Sequence, residues 1–385
     1  MKVEKAVSRT LEIYLRIFGI WPNTSGILLL RVFWTVMIAF EQIFQYRYIV
    51  MRYHSIDFSK VIDVLSAAMT YTIFSFKLVI FWYKQRTLSR ILTMMAIDWE
   101  KCTRTKFSMF ATTCNAKLSQ RLVNMTVIIY SGTVIFYSIG VIFQQTNNDS
   151  ATNGTKQFIL DMDLPFDANQ RFIYESVIVV QFIHLLLCAD GMGLLNIVLI
   201  NLVLHISGQI DILRNSLMEV FPKKKKRSPS RFTIKEIIKK HQEIIAFSEQ
   251  VEDLYSYIAM VLFVTDTLII CGLGFTIVAS IGEPNASKNI IRNIMFYFVM
   301  NMEAFIYCFA GEYLSVKSKS IGDAAYDSLW YESDCKDNQI VLLLIMRSQN
   351  QLVITIGKVM NLSLERFSSI VKASASYLSV LLAMT

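Results

Sequence analysis

The stretch SLERFSSIVKASASYLSVLLAMT, residues 363–385, decides the fold of this chain. At 1.5 Å per residue, a helix of this length spans the ~30 Å hydrocarbon core of a bilayer. Bulky apolar side chains fall on one helix face, and small or polar side chains fall on the other, namely Ser368, Ser369, Lys372, Ala373, Ser376, Ser379 and Ala383. A helix surrounded only by lipid has no reason to keep such a polar stripe. The stripe is therefore expected to face protein or water, and if it faces water the helix lines a pore.

The composition predicts an all-α polytopic membrane protein. The chain has 385 residues, of which 54% are hydrophobic, and its mean hydropathy is +0.44. Seven runs are long and apolar enough to form transmembrane helices, at residues 27–50, 61–83, 123–145, 172–204, 256–281, 290–314 and 363–384. The fourth run is longer than a bilayer is thick. Its C-terminal end is therefore expected to project into water, around Asn196 to His205.

Basic residues set the predicted orientation of these spans. Twenty-seven lysines and arginines fall in the N-terminal segment and in three loops, 84–121, 205–255 and 315–362, whereas the three opposite loops hold only six. Cytoplasmic loops of membrane proteins carry an excess of Lys and Arg. The N-terminus is therefore expected to be cytoplasmic and, with seven spans, the C-terminus extracellular.

The same loops explain the net charge of +8. A basic chain can indicate a nucleic-acid partner, but basic cytoplasmic loops beside anionic membrane lipid account for this charge, and no nucleic acid is expected. Glycosylation sequons at Asn148, Asn153 and Asn285 fall in loops assigned to the outside. These positions predict a glycoprotein.

The sequence holds no pattern typical of an enzyme. Neither HExxH nor GxSxG is present, and the paired glycines lie inside predicted spans, where they suit helix packing and not phosphate binding. The six cysteines and four histidines are scattered without metal-ligand spacing. No catalytic residue, metal site or cofactor is therefore expected, and the cysteines are predicted to be reduced.

Four charged residues lie inside apolar runs, namely Lys77, Asp190, Asp266 and Glu303. A charge at mid-bilayer costs about 2.5–3.5 kcal/mol on insertion scales, so these groups should pair or face water. Pairing of Lys77 with Asp190 and pairing with Glu303 both fit the sequence. A structural pair between helices is favoured over an ion path.

Aromatic side chains mix with small polar groups in the outer halves of spans two, three, four and six. Such a lining suits a pocket for a small, volatile, hydrophobic ligand, although ordinary helix packing produces the same composition. The candidate ligand-binding residues are Tyr71, Phe74, Thr133, Phe136, Tyr137, Gly140, Tyr174, Ile178, Gln181, Phe182, Phe296 and Tyr297.

The last 80 residues resemble the C-terminal signature of insect odorant receptors. The matching motifs are Cys308-Phe-Ala-Gly311-Glu312, Ala325-Tyr326-Asp-Ser-Leu-Trp330, Arg347-Ser-Gln349 and Ser376-Tyr377-Leu378-Ser379, and the opening Leu15–Pro22 is also similar to many members. Gustatory receptors share the superfamily, but their typical Thr-Tyr and Gln-Phe ending is missing here. A metabotropic seven-helix chemoreceptor would place its N-terminus outside, and a transporter would show internal repeats.

The resemblance implies an odorant-gated, non-selective cation channel of four subunits around a central pore. In that family the seventh helix is split, which here implies an inner helix at 338–357, a pore helix at 363–385, and pore and anchor elements within 315–385. The family's hydrophobic gate positions fall on Val380 and Met384. The candidate pore residues are Ser369, Lys372, Ala373, Ser376, Val380 and Met384.

The short 205–255 loop resembles that of a ligand-tuning subunit and not the longer loop of the family's co-receptor. The resemblance therefore implies a heterotetramer with the odorant co-receptor. It also implies a location in the plasma membrane of olfactory sensory neurons.

Overall fold

The computed structural model describes residues 7–22, 24–52, 57–102, 106–148, 158–165, 170–221, 233–281 and 286–384. Within these residues the chain forms a helical bundle and one two-stranded hairpin, in the order α1 Arg9–Ile17, α2 Ile27–Arg52, α3 Phe58–Tyr83, α4 Gln85–Cys102, α5 Lys106–Asn148, α6 Arg171–Val220, α7 Ile234–Ala279, α8 Ala286–Tyr326, α9 Cys335–Ser348, β1 Thr355–Ile356, β2 Met360–Asn361 and α10 Leu364–Met384. The sequons at Asn153 and Asn285 lie outside the described residues, and Asn148 is the last residue of α5.

Six of the described helices are long and apolar enough to cross a membrane, namely α2, α3, α5, α6, α7 and α8. The seventh predicted span is α10, whose 21 residues reach about 31 Å at 1.5 Å per residue. Its serines and Lys372 make it less apolar than the other six. The predicted class, an all-α multi-pass membrane protein, is confirmed. We call the end where α3 and α8 begin the outer end of the bundle, and the opposite end the inner end.

Several predicted spans are parts of longer helices, since α5 begins at Lys106, α7 begins at Ile234 and α8 ends at Tyr326. The fourth span also continues beyond its predicted end, because α6 has 50 residues and ends only at Val220, and residues 196–204, expected to project into water, are buried in the bundle. The inner helix predicted at 338–357 stops early, because α9 ends at Ser348 and residues 355–361 form the hairpin. Gly357 and Lys358 have φ angles of 59° and 62° at the hairpin tip, in the left-handed region that no helix tolerates. The seventh helix is nevertheless split, into α9 and α10.

A buried ion pair ties three helices together. Lys77 of α3 bonds to Glu303 of α8, and its ammonium also donates to Asn196 Oδ1 of α6 at 2.6 Å. Lys77, Asn196 and Glu303 are completely buried. Glu303 is therefore the partner of Lys77, and Asp190 instead accepts hydrogen bonds from two hydroxyl groups on α1 and α5.

A second charged cluster joins α4, α6 and α7 at the inner end. Asp98 lies 2.9 Å from Lys240 Nζ and 3.2 Å from His205 Nε2. Burial alone would raise the pKa of the Asp98 carboxyl, but the hydrogen bond from His205 and the charge of Lys240 outweigh burial and lower that pKa below its ordinary value. The folded state therefore favours ionised Asp98.

We predict that Lys77→Met destabilises the protein by about 3–5 kcal/mol, because it leaves the Glu303 carboxylate buried without its cation. Adding Glu303→Gln should recover most of that loss. Lys84→Met is the matched control, since Lys84 pairs with the half-exposed Asp253 and should cost less than about 1 kcal/mol. Thermal unfolding of the detergent-solubilised chain measures all three. Equal losses for Lys77→Met and Lys84→Met would contradict the assignment.

We predict a pH-dependent cost for Asp98→Asn. A carboxyl whose pKa is depressed by folding contributes stability above its unfolded pKa of about 3.9 and loses it as pH falls through the folded pKa. The variant should therefore be less stable than the wild type at pH 7, and the gap should shrink below about pH 4. Unfolding midpoints measured from pH 7 to pH 3 test this. A gap that stays constant would show that the charge of Asp98 contributes nothing.

Candidate ligand cavity

An apolar cavity of about 120 Å³ lies among α3, α5, α6 and α8. Leu160, from the segment 158–165 that precedes α6, closes its outer side. Five of the predicted ligand-binding residues line this cavity: Tyr71, Phe74, Thr133, Tyr137 and Phe296. The structure thus brings together residues from three separate helices, α3, α5 and α8, that the sequence could only assign to spans.

The other predicted residues lie outside the cavity wall, and their part in ligand binding stays a prediction. Phe136 is 53% exposed on the outer surface of the bundle. Tyr174 packs against Phe158 with 5.6 Å between ring centroids. The Gln181 amide is bonded to the backbone of Ile159 and Leu160. The remaining four are Gly140, Ile178, Phe182 and Tyr297.

The cavity lies deeper in the bundle than the sequence predicted. Twelve further residues complete its wall, including Leu185, Cys188, Ala189 and Met192 on α6, Val299, Met300 and Glu303 on α8, Tyr130 and Val134 on α5, Ala67 and Thr70 on α3, and Leu160. The α6 and α8 residues repeat at i, i+3, i+4 and i+7, which is one face of a helix. Extending the helix face that contains Phe296 by two turns would have predicted Val299, Met300 and Glu303.

The cavity offers a ligand mainly apolar contact. The hydroxyl groups of Thr70 and Thr133 donate to backbone carbonyls of their own helices, so they are not free to donate to a ligand. Glu303, the one charged residue in this wall, is bonded to Lys77. Such a site selects small hydrophobic molecules by shape and dispersion contact.

The terminal helix α10 packs on α7 and α8. Phe367 meets Phe305 of α8 edge to face at 5.6 Å, and Ser374 donates a hydrogen bond to the Thr267 carbonyl of α7 at 3.1 Å. A side chain at Gly311 of α8 would collide with Leu362, so glycine there lets the chain entering α10 approach closely. Helix α8 thus forms part of the cavity wall and also supports α10.

The candidate pore residues lie on the side of α10 that turns away from α7 and α8. Val380 is 54% exposed, Lys372 and Ser376 are exposed, and Ser369 and Ala373 are partly buried. By contrast, Ile370 and Ser374 are buried against the bundle. Met384 is the last residue of α10, and its side chain lies outside the described residues.

The chain is similar to insect odorant receptors in both sequence and fold. Odorant receptor 10 of Aedes albopictus is 34% identical over 145 residues, and Odorant receptor Or2 of Anopheles gambiae is 30% identical over 148 residues. Each of these alignments spans 38% of the relative's length. Odorant receptor 85b of Drosophila melanogaster is 20% identical over 86% of both chains.

A solved structure matches nearly the whole fold. The olfactory receptor OR5 from Machilis hrabei, in complex with eugenol, superimposes with a TM-score of 0.82 over 98% of this chain and 97% of OR5, at 15% identity. The family model described as 7tm Odorant receptor matches residues 57–375, which include every helix of the cavity wall and most of α10. This chain therefore belongs to the 7tm Odorant receptor family, a family of receptors and not of enzymes.

Proposed function

We propose that this chain is the odorant-binding subunit of a ligand-gated, non-selective cation channel. A small hydrophobic volatile binds in the apolar cavity, and its binding opens a central pore lined by α10. The N-terminus is cytoplasmic and the C-terminus extracellular. The subunit is a glycoprotein that works in the plasma membrane of olfactory sensory neurons, in a heterotetramer with the odorant co-receptor.

The apolar cavity is the observation that carries this proposal. Its volume of about 120 Å³ suits a molecule of volatile size, and its wall joins aromatic rings with aliphatic and thioether groups. A charged ligand would lose its hydration on entering this mainly apolar space. An uncharged, poorly soluble volatile gains on entering it.

The packing of α10 supports the proposed link between ligand and pore. Residues 296–303 of α8 line the cavity, and two residues further on Phe305 contacts Phe367 of α10. A ligand that displaces α8 therefore also displaces the start of α10. Residues 315–385, which comprise the end of α8, α9, the hairpin and α10, then form the inner anchor and the pore.

An excised-patch recording tests the function. The chain and the co-receptor are expressed together, and a panel of volatile alcohols, esters and phenols is applied to outside-out patches with no nucleotide in the pipette. We expect a rapid current that requires both subunits. A response that disappears on excision and returns with nucleotide would instead favour a metabotropic receptor, and strong selectivity between Na⁺ and K⁺ would contradict a non-selective pore.

We predict that filling the cavity blocks activation. Ala189→Phe places a ring inside the cavity and should lower sensitivity to an activating volatile by about tenfold or more, the loss expected when a pocket is too small for its ligand. Val180→Phe is the matched control, because Val180 lies on the same helix but is 55% exposed on the outer surface. Dose–response curves of the two variants should separate. If they coincide, the cavity is not the ligand site.

We predict that Val380 faces the pore. In a background in which the exposed Cys114 and Cys335 are replaced by serine, Val380→Cys should react with a cationic methanethiosulfonate, and the current should fall by about half or more because a fixed positive charge repels cations. Leu378→Cys is the control, since Leu378 contacts Gly274 of α7 and should stay unreactive. An unchanged current after proven modification of Val380→Cys would contradict the assignment.

A further inference from the structure

A second cavity lies at the outer end of the bundle, and its chemistry is the opposite of that of the apolar cavity. This outer chamber has a volume of about 210 Å³ and lies between the first turns of α3, the end of α7, the start of α8 and the segment 158–161. Charged residues line it, namely Asp57, Lys60, Asp63, Asp161 and Arg292. The side chains of Lys60, Asp63, Asp161 and Arg292 are 22–45% exposed, so water reaches the chamber.

The two cavities share part of their walls. Ala67 of α3, Tyr137 of α5 and Leu160 of the segment 158–161 line both of them. These three residues therefore separate a charged, hydrated space from an apolar one. A movement of these side chains would join the two spaces into one passage.

A set of polar contacts holds the junction closed. Arg292 Nη2 of α8 donates to Asp63 Oδ2 of α3 at 2.5 Å. The same guanidinium lies 5.2 Å from the ring centroid of Tyr137, which places it within cation–π range of the ring at the junction. One arginine thus ties together three of the helices that surround the apolar cavity.

The segment 158–161 is fixed by different contacts. Gln181 of α6 accepts a hydrogen bond from Ile159 N and donates one to the Leu160 carbonyl, both at 3.2 Å. Lys60 Nζ lies 3.7 Å from Asp161. These contacts hold Leu160 in place from two sides. Tyr137, by contrast, is held at the junction by its contact with Arg292.

We propose that the outer chamber is the entrance by which odorants reach the apolar cavity, and that the contact of Arg292 with Asp63 and Tyr137 is its latch. This proposal rests on the proposed role of the apolar cavity as the odorant site. The chamber offers both hydrogen-bond donors and acceptors, whereas the cavity beyond offers apolar contact. The passage therefore favours small uncharged molecules that carry one hydrogen-bonding group, because such molecules bind weakly in the chamber and lose little on moving inward.

The native thiol of Cys188 reports on the passage, because Cys188 lines the apolar cavity and is 4% exposed. Methyl methanethiosulfonate, a small uncharged reagent, is applied to intact cells that express the full chain with the co-receptor. Peptide mass spectrometry then follows the methylthiolation of Cys188 with time. Asp63→Asn should speed this reaction by about tenfold, the effect expected on losing a hydrogen bond between charged groups.

Two controls separate the latch from other effects. Asp57→Asn removes a charge from the same chamber but leaves the Asp63–Arg292 pair intact, so its rate should equal that of the wild type. Cys308 of α8 is 1% exposed and lines neither cavity, so its modification should stay slow in every variant. A rise at Cys308 would reveal general unfolding.

A second variant tests the junction in the opposite direction. Ala67→Phe narrows the shared wall and should slow the modification of Cys188 by about threefold or more, since a close-packed junction has no room for the added ring. Misfolding would speed the reaction and not slow it. Equal Cys188 rates in wild type, Asp63→Asn and Ala67→Phe would overturn the proposal and indicate access through the lipid. The thiol readout needs no odorant current, so its result is independent of whether the chain is a channel.

Discussion

The ion pair between Lys77 and Glu303 is the contact on which the rest of the bundle depends. A lone charge in the middle of a membrane is costly, so each of these residues requires the other. Because Lys77 also binds Asn196, the pair fixes α3, α6 and α8 relative to one another. These three helices, with α5, surround the apolar cavity. The ion pair between Lys77 and Glu303 thus offsets the cost of burying two charges and also sets the distances between helices of the cavity wall.

The cavity lies deep in the bundle because the segment 158–161 covers its outer side. The segment 158–161 fills the outermost layer between the helices, where Gln181 holds its backbone. The cavity lies beneath this layer, beside Cys188 and Met192 and close to the ion pair, and it is there that a ligand is proposed to bind. From there α8 runs to Phe305 and its contact with α10. The segment 158–161, the apolar cavity and α10 thus follow one another along α8.

Much of this arrangement could be predicted from residue type, because the rules involved are local. Apolar length predicts the spans, and the cost of a buried charge predicts that Lys77 has an acidic partner. The depth of the cavity could not be predicted, since it depends on a contact between Gln181 and a loop about 20 residues away. In the sequence, a glutamine among aromatic side chains in the outer half of a span is typical of a ligand contact. Its actual partner, the backbone of the segment 158–161, is not visible from the sequence. The end of α9 could not be predicted either, because the hairpin is stabilised by a hydrogen bond from Gly357 to Ser256 of α7, a contact remote in sequence.

In the proposed mechanism, a volatile in the apolar cavity opens a pore at α10. The most direct measurement is electron cryomicroscopy of the full assembly with co-receptor, determined with and without an activating volatile. The account predicts ligand density bounded by Tyr71, Phe74 and Met192, together with movement of α10 and a wider pore at Val380. Ligand density at another site, with the apolar cavity unchanged between the two structures, would contradict it.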